Sequence, residues 1–128
     1  MAAARAARGE QAELELLNLS ARVDWQTAED VVEGLILMSQ SEMPDDYVFA
    51  SGRSYSVREF LDVAFRHVGL DWRRFVTAKE SRPGPALIGI PDKAIRQLNW
   101  RSRYTFDDLV NHMVDADVAR MREGCCHD

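Results

Sequence analysis

The stretch Tyr55-Ser56-Val57-Arg58-Glu59-Phe60-Leu61-Asp62-Val63-Ala64-Phe65-Arg66-His67-Val68-Gly69 decides the reading of this 128-residue chain. Ser56 followed three positions on by Glu59 has the form of a capping box. Val57, Phe60, Leu61, Ala64, Phe65 and Val68 then recur at intervals of three and four, and Gly69 supplies a left-handed stop, so the segment reads as an amphipathic helix of about three turns. Immediately upstream, Tyr47-Val48-Phe49-Ala50 is β-prone and ends at the turn signal Ser51-Gly52. The same alternation of short strand and helix extends both ways along the chain.

Toward the N-terminus, Thr27-Ala28-Glu29-Asp30 offers an N-cap with an acidic first turn. Behind it, Val31, Val32, Leu35, Ile36 and Met38 form a broad apolar stripe that ends near Ser39. Leu14 to Leu17 reads as a short strand, and Ala2 to Arg8 as a helix closed by Gly9. Toward the C-terminus, Phe75-Val76-Thr77 and Leu87-Ile88-Gly89-Ile90 are strand candidates on either side of the irregular Ser81-Arg82-Pro83-Gly84-Pro85. Pro91 opens a short helix from Asp92 to Leu98. Thr105 with Asp108 caps a long final helix that carries Leu109, Val110, Met113, Val114 and Met121 on one face and ends at Gly124. No repeat or linker divides the chain, and the order of elements predicts an α/β or α+β domain whose helices hold most of the core.

Composition narrows the chemistry. Hydrophobic residues make up 46% of the chain against 29% charged, enough for one core. With 16 Lys+Arg against 21 Asp+Glu the net charge is -5, and the basic residues are scattered, so neither a nucleic acid nor a membrane surface is expected as partner. No wholly apolar run, Leu35 to Met38 included, exceeds four residues, far short of a membrane span, and the alanine-rich start lacks a signal core, so a cytoplasmic chain is expected. None of the seven glycines forms a G-x-G-x-x-G fingerprint, and Ile90 and Pro91 stand where a phosphate loop after Gly84 and Gly89 needs Lys and Ser or Thr. No serine sits in a nucleophile elbow. The tail Cys125-Cys126-His127-Asp128 lacks a second donor cluster, and no metal is assigned to it. His67 and His112 flank apolar stripes and read as core-edge residues, and Trp25, Trp72 and Trp100 read as packing.

Taken in order, Leu14-Glu15-Leu16-Leu17-Asn18-Leu19, Asp24-Trp25, Asp30 and Val32 resemble the GDP-mannose 4,6-dehydratase pattern L-x-L-G-N-L-x-x-x-R-D-W-G-x-A-x-D-Y-V. Asp46-Tyr47-Val48, Ala50-Ser51-Gly52 and Ser56-Val57-Arg58-Glu59-Phe60 resemble its D-Y-V-I-A-T-G and S-V-R-E-F. Arg82-Pro83, Lys93-Ala94, Leu98-Asn99-Trp100 and Phe106 to Asp117 resemble its remaining blocks. The resemblance implies the fold of an extended short-chain dehydrogenase/reductase: its C-terminal substrate-binding lobe over residues 1–122, helix-rich with a few short strands, without the Rossmann domain, and a tail at 123–128. It implies NADP as the parent family's cofactor, with none held by this chain, and a nucleotide sugar such as GDP-mannose as ligand. Neither the NADP fingerprint nor a Tyr-x-x-x-Lys pair occurs, so the chain by itself is expected not to turn over.

Asn18, Arg22 and Arg82 are the candidate substrate contacts that the resemblance implies. Asn18 either reads a base edge or closes a turn, and Arg82 is either a ligand arginine or a solvated loop residue. Val23 replaces the family arginine before Asp-Trp. Arg22, one residue earlier, is the nearest cation, and in an extended segment that step reverses the face a side chain takes. Leu17 and Gln26 replace family glycines. Loss of one bidentate arginine contact to a diphosphate costs about 2–3 kcal/mol, roughly 30- to 150-fold in affinity. Two alternatives stand beside this reading. One is an interaction partner of a full-length dehydratase, or a homo-oligomer, formed through Val31, Val32, Leu35 and Ile36; the other is a remnant of a dTDP-glucose 4,6-dehydratase-like enzyme.

Overall fold

The computed structural model describes residues 1–10, 13–79 and 84–123. Its elements run α1 (Ala2–Ala7), β1 (Leu14–Leu16), β2 (Arg22–Val23), α2 (Ala28–Ser39), β3 (Tyr55–Ser56), α3 (Val57–His67), a 3₁₀ turn at Trp72–Arg74, β4 (Val76–Ala78), α4 (Asp92–Leu98) and α5 (Phe106–Glu123). Helices dominate, and the strands form two two-stranded sheets, β1–β4 and β2–β3. The chain divides into two compact units: Met1–Ala21, Ser56–Gly84 and Val110–Asp128 make the first, and Arg22–Tyr55 with Pro85–Leu109 the second.

In the first unit, α3 starts as its sequence requires. The Ser56 hydroxyl accepts from the Glu59 N–H at 3.1 Å, and the Glu59 carboxylate accepts from the Ser56 N–H at 2.7 Å. Leu61, Val63, Ala64 and Phe65 are buried, so the buried arc includes Val63, which the three-and-four pattern omits. Phe65 is 1% exposed and stacks on Phe75 with ring centroids 5.6 Å apart. Gly69 takes φ +74°, which lets the Leu70 N–H return to the Phe65 carbonyl at 2.9 Å. Strand β1 pairs in parallel with β4, Leu14 opposite Val76 and Leu16 opposite Ala78. Trp72 is buried, donates its indole N–H to Asp62 at 2.6 Å and lies under the Arg73 guanidinium at 4.8 Å.

In the second unit, α2 is capped by Thr27, whose hydroxyl accepts from the Asp30 N–H at 3.2 Å. Its buried residues are Asp30 and Gly34, one turn apart, while Val32, Leu35 and Ile36 are about half exposed at 52, 47 and 51%. The close approach of the Phe49 ring selects this face: a Cβ on Gly34 would lie 2.5 Å from it. Phe49 in turn meets Trp100 edge-on at 5.1 Å. Helix α4 buries Ala94 and ends at Asn99, whose φ of 52° turns the chain so that the Trp100 N–H reaches the Ala94 carbonyl at 3.2 Å.

Two expected strands are absent as ladders. Tyr47–Ala50 pairs with no strand. The backbone at Gly89 packs directly on it, so that a Cβ there would lie 2.3 Å from the Ala50 Cβ and 3.1 Å from Val48. The segment at 87–90 contributes a single bridge, Leu87 to Val23. The stretch from Ser81 to Pro83, the expected cap at Gly124 and the Cys125–Asp128 tail lie outside the described residues. Among the described residues no helix is long and apolar enough to cross a membrane.

Candidate functional site

The second unit is organised by two carboxylates that follow β2. Asp24 Oδ1 accepts from the Ser51 N–H at 3.0 Å and the Ser51 hydroxyl at 2.6 Å, and Oδ2 accepts from the N–H groups of Gly52 at 2.9 Å and Gly89 at 3.4 Å. The turn so formed needs the left-handed φ of +75° at Gly52. The neighbours of Asp24 hold the same segment: Arg22 donates to the Ser54 carbonyl at 2.7 Å and its hydroxyl at 3.3 Å, and the Trp25 indole donates to the Tyr55 carbonyl at 3.2 Å.

Asp30 does for residues 102–104 what Asp24 does for 51–52. It is fully buried and accepts from the Ser102 hydroxyl at 2.9 Å and from the N–H groups of Arg103 and Tyr104 at 3.1 and 3.3 Å. The Gln26 amide adds a bond at 3.3 Å, and the Asp30 carbonyl takes the Trp100 indole N–H at 2.8 Å. A buried carboxylate is tolerated because these donors replace its hydration.

The two fixed segments enclose an open cleft of about 220 Å³ lined by Trp25, Arg53, Tyr55, Thr105 and Phe106, with Ser51, Ser102 and Tyr104 completing it. Tyr55 and Phe106 stack face to face with centroids 4.0 Å apart. Thr105 caps α5: its N–H and hydroxyl donate to Asp108 at 3.0 and 2.6 Å, and its oxygen accepts from the Asp108 N–H at 3.2 Å. Arg53 is exposed at the rim, and among the described residues its guanidinium has no hydrogen-bond or ion-pair partner.

Of the three substrate contacts expected from the sequence, Asn18 lies in the first unit and Arg22 in the second, while Arg82 is outside the described residues. Asn18 closes a turn, its Oδ1 accepting from the Ser20 N–H at 2.9 Å, which is one of its two readings. Arg22 is engaged with Ser54. The sequence reading missed the cleft residues Arg53, Tyr55, Ser102 and Thr105, and it assigned Trp25 to packing. Trp72 and Trp100 are indeed core at 6 and 1% exposure, whereas Trp25 is a wall of the cleft. The available signal was the clustering of hydroxyl and aromatic residues in Ser51–Tyr55 and Ser102–Phe106, both turn segments.

Solved structures share the fold. The chain superposes on 92% of its length with an NADPH complex of RMD from Pseudomonas aeruginosa, with TM-score 0.81, 18% identity and 39% of that chain covered. It matches dTDP-glucose 4,6-dehydratase from Bacillus anthracis over 95% of its length, with TM-score 0.76, 14% identity and 38% of that chain covered. The fold is that of the helix-rich C-terminal part of an extended short-chain dehydrogenase/reductase. Within that class, residues 1–113 match the family model of GDP-mannose 4,6 dehydratase, and the chain belongs to that family. GDP-mannose 4,6 dehydratase 1 of Arabidopsis thaliana is 43% identical over 114 residues, 86% of this chain and 32% of the relative. The human GDP-mannose 4,6 dehydratase is 39% identical over 126 residues, 82% and 34% respectively. The chain thus spans about a third of the length of the curated relatives it matches.

Proposed function

We propose that residues 1–122 act as the substrate-side lobe of a GDP-mannose 4,6-dehydratase-like protein. On this reading the 128-residue chain can hold a nucleotide sugar through Asn18, Arg22 and Arg82 but does not by itself convert it. The observation that carries the reading is the family match over residues 1–113 in a sequence that holds no Tyr-x-x-x-Lys pair and no glycine fingerprint. The parent reaction, GDP-mannose to its 4-keto-6-deoxy product and water, needs a hydride carrier and an acid/base pair.

The described residues do not fit NADP. A dinucleotide pyrophosphate docks on free N–H groups at a helix start, reached through a glycine loop. Here the long helices α2, α3 and α5 open on Thr27, Ser56 and Thr105, whose own hydroxyls accept from those N–H groups. The described glycines with positive φ, Gly9, Gly52 and Gly69, follow helices or form the Asp24 turn.

The test is to incubate the purified chain with NADP and GDP-mannose and to titrate it calorimetrically with GDP-mannose. Expected are no product and binding weaker than micromolar; formation of the keto-deoxy product overturns the proposal. The half-exposed Val32, Leu35 and Ile36 favour a second reading, in which α2 docks on a full-length homologous dehydratase or on another copy of the chain. Co-purification with such an enzyme supports it, and a monomeric, partner-free chain counts against it. The Ser56–Phe60 block favours the GDP-mannose branch over the dTDP-glucose one.

A further inference from the structure

We propose that the cleft of the second unit is a binding site for a hexose monophosphate, with the sugar ring against Trp25 and Tyr55 and the phosphate on Arg53. The hydrogen-bond polarity of the rim specifies this class. A hydroxyl has one proton to give and two lone pairs to offer. Ser51 has a carboxylate for its proton at Asp24, 2.6 Å away, Ser102 at Asp30, 2.9 Å away, and Thr105 at Asp108, 2.6 Å away. The protons are thus taken by the protein's own carboxylates, and what these groups offer the cleft is acceptor capacity. Ser102 is the most open of them, because Ser51 also accepts from the Arg53 N–H and Thr105 from the Asp108 N–H.

A rim of acceptors calls for a ligand that brings O–H donors. The aromatic wall calls for a flat apolar face, which the C–H side of a hexose presents. Arg53 offers a guanidinium with no protein partner among the described residues, a fork matched to a phosphate. Each of these hydroxyls is bonded to a carboxylate, Asp24, Asp30 or Asp108, which disfavours an anion beside them, and Arg53 is the cation among the residues that line the cleft. The inference does not rest on the nucleotide-sugar reading, whose contacts Asn18 and Arg22 do not line the cleft.

The experiment is an NMR titration of the chain with mannose 1-phosphate, following the Trp25 indole N–H, which is assigned from the Trp25→Phe variant. Expected is a saturating shift of that resonance, with affinity at least roughly tenfold weaker in Arg53→Ala. Because the Arg53 side chain is exposed and has no partner among the described residues, that variant keeps the fold, and the unchanged dispersion of the other indoles checks it. Absence of a Trp25 shift at millimolar ligand, equal affinity in Arg53→Ala, or a response to GMP alone overturns the proposal. GDP-mannose is titrated in parallel. Equal GDP-mannose binding by wild type and Arg53→Ala, with mannose 1-phosphate lost only in the variant, supports a separate site; loss of both ligands together overturns that separateness while leaving the nucleotide-sugar reading in place.

Discussion

In the first unit the ordering groups are rings and methyls: Phe65 on Phe75, Trp72 beneath Arg73, the alanines of α1 and the parallel ladder of β1 with β4. In the second unit they are two carboxylates, Asp24 and Asp30, which between them collect backbone N–H groups from residues 51, 52, 89, 103 and 104. Apolar burial is non-directional and forgives a change of partner of equal volume. A carboxylate accepting several N–H bonds is directional and fixes the path of irregular backbone. The cleft belongs to the second kind of unit, and its segments 51–52 and 102–104 are held by Asp24, just after β2, and by Asp30 of α2. Stability and site geometry should accordingly separate under mutation.

The largest expected effect is in the first unit. Phe65→Ala empties a site that is 1% exposed and should cost about 4 kcal/mol in chemical denaturation, whereas Phe65→Leu should recover much of it. Next comes Asp30→Ala, which removes a fully buried carboxylate and takes the acceptor from the part-buried N–H groups of Arg103 and Tyr104; it should cost about 3 kcal/mol. Hydrogen exchange discriminates the two. Asp30→Ala should lose protection first at residues 102–104, and Phe65→Ala first along α3. If Asp30→Ala were to unprotect α3 as readily as the 102–104 segment, the contrast between the units would fail.

These two residues also show what a single sequence reveals. Phe65 sits in the periodicity of α3, and period, cap and stop were all written locally, so the helix was legible from Ser56 to Gly69. The same local signals located α2, α4 and α5. Asp30 was legible as an acidic residue in a first turn and as part of the family pattern, but not as the holder of residues 102–104, because Ser102, Arg103 and Tyr104 are some seventy positions away. For the same reason the inward face of α2 was not legible: Gly34 and Asp30 face in, since Phe49 needs the space that a glycine leaves, while Val32, Leu35 and Ile36 of the apolar stripe stay about half exposed. The strand expected at Tyr47–Ala50 failed on a further non-local fact, the packing of Gly89 against it. The cleft inherits this illegibility, as its residues are close only because Asp24 and Asp30 bring them together.

Gly89 gives a smaller and more local test. A methyl placed there lies 2.3 Å from the Ala50 Cβ, so Gly89→Ala should cost about 2 kcal/mol. Because Ser51 follows Ala50 and binds Asp24, the strain should reach the cleft as well as the global stability. The compensating pair Gly89→Ala with Ala50→Gly removes the clashing carbon and should restore more than half of the loss in a double-mutant cycle. No recovery in the double variant would show that Gly89 is required for a reason other than that contact.

The smallest effect concerns charge at the edge of the second unit. A hydrogen bond from the Lys93 ammonium, followed by one from the Asp46 N–H, holds the Asp45 carboxyl below its ordinary value of 3.8. Lys93 is itself placed 5.2 Å above the Tyr47 ring, and Tyr47 is tied to Gln97 at 3.0 Å. A carboxyl whose folded pKa is depressed contributes stability above its unfolded pKa and loses it as the pH falls through the folded one. Lys93→Met should therefore move the Asp45 titration, followed by NMR of its carboxyl carbon, upward toward 3.8, and it should make the acid limb of the stability curve shallower. The return should be incomplete, because the Asp46 N–H at 2.8 Å remains. Since Asp45 is exposed, salt should weaken this effect while leaving the Asp30 network unchanged, and that difference in salt response separates a solvated ion pair from a buried hydrogen-bonded carboxylate within one unit.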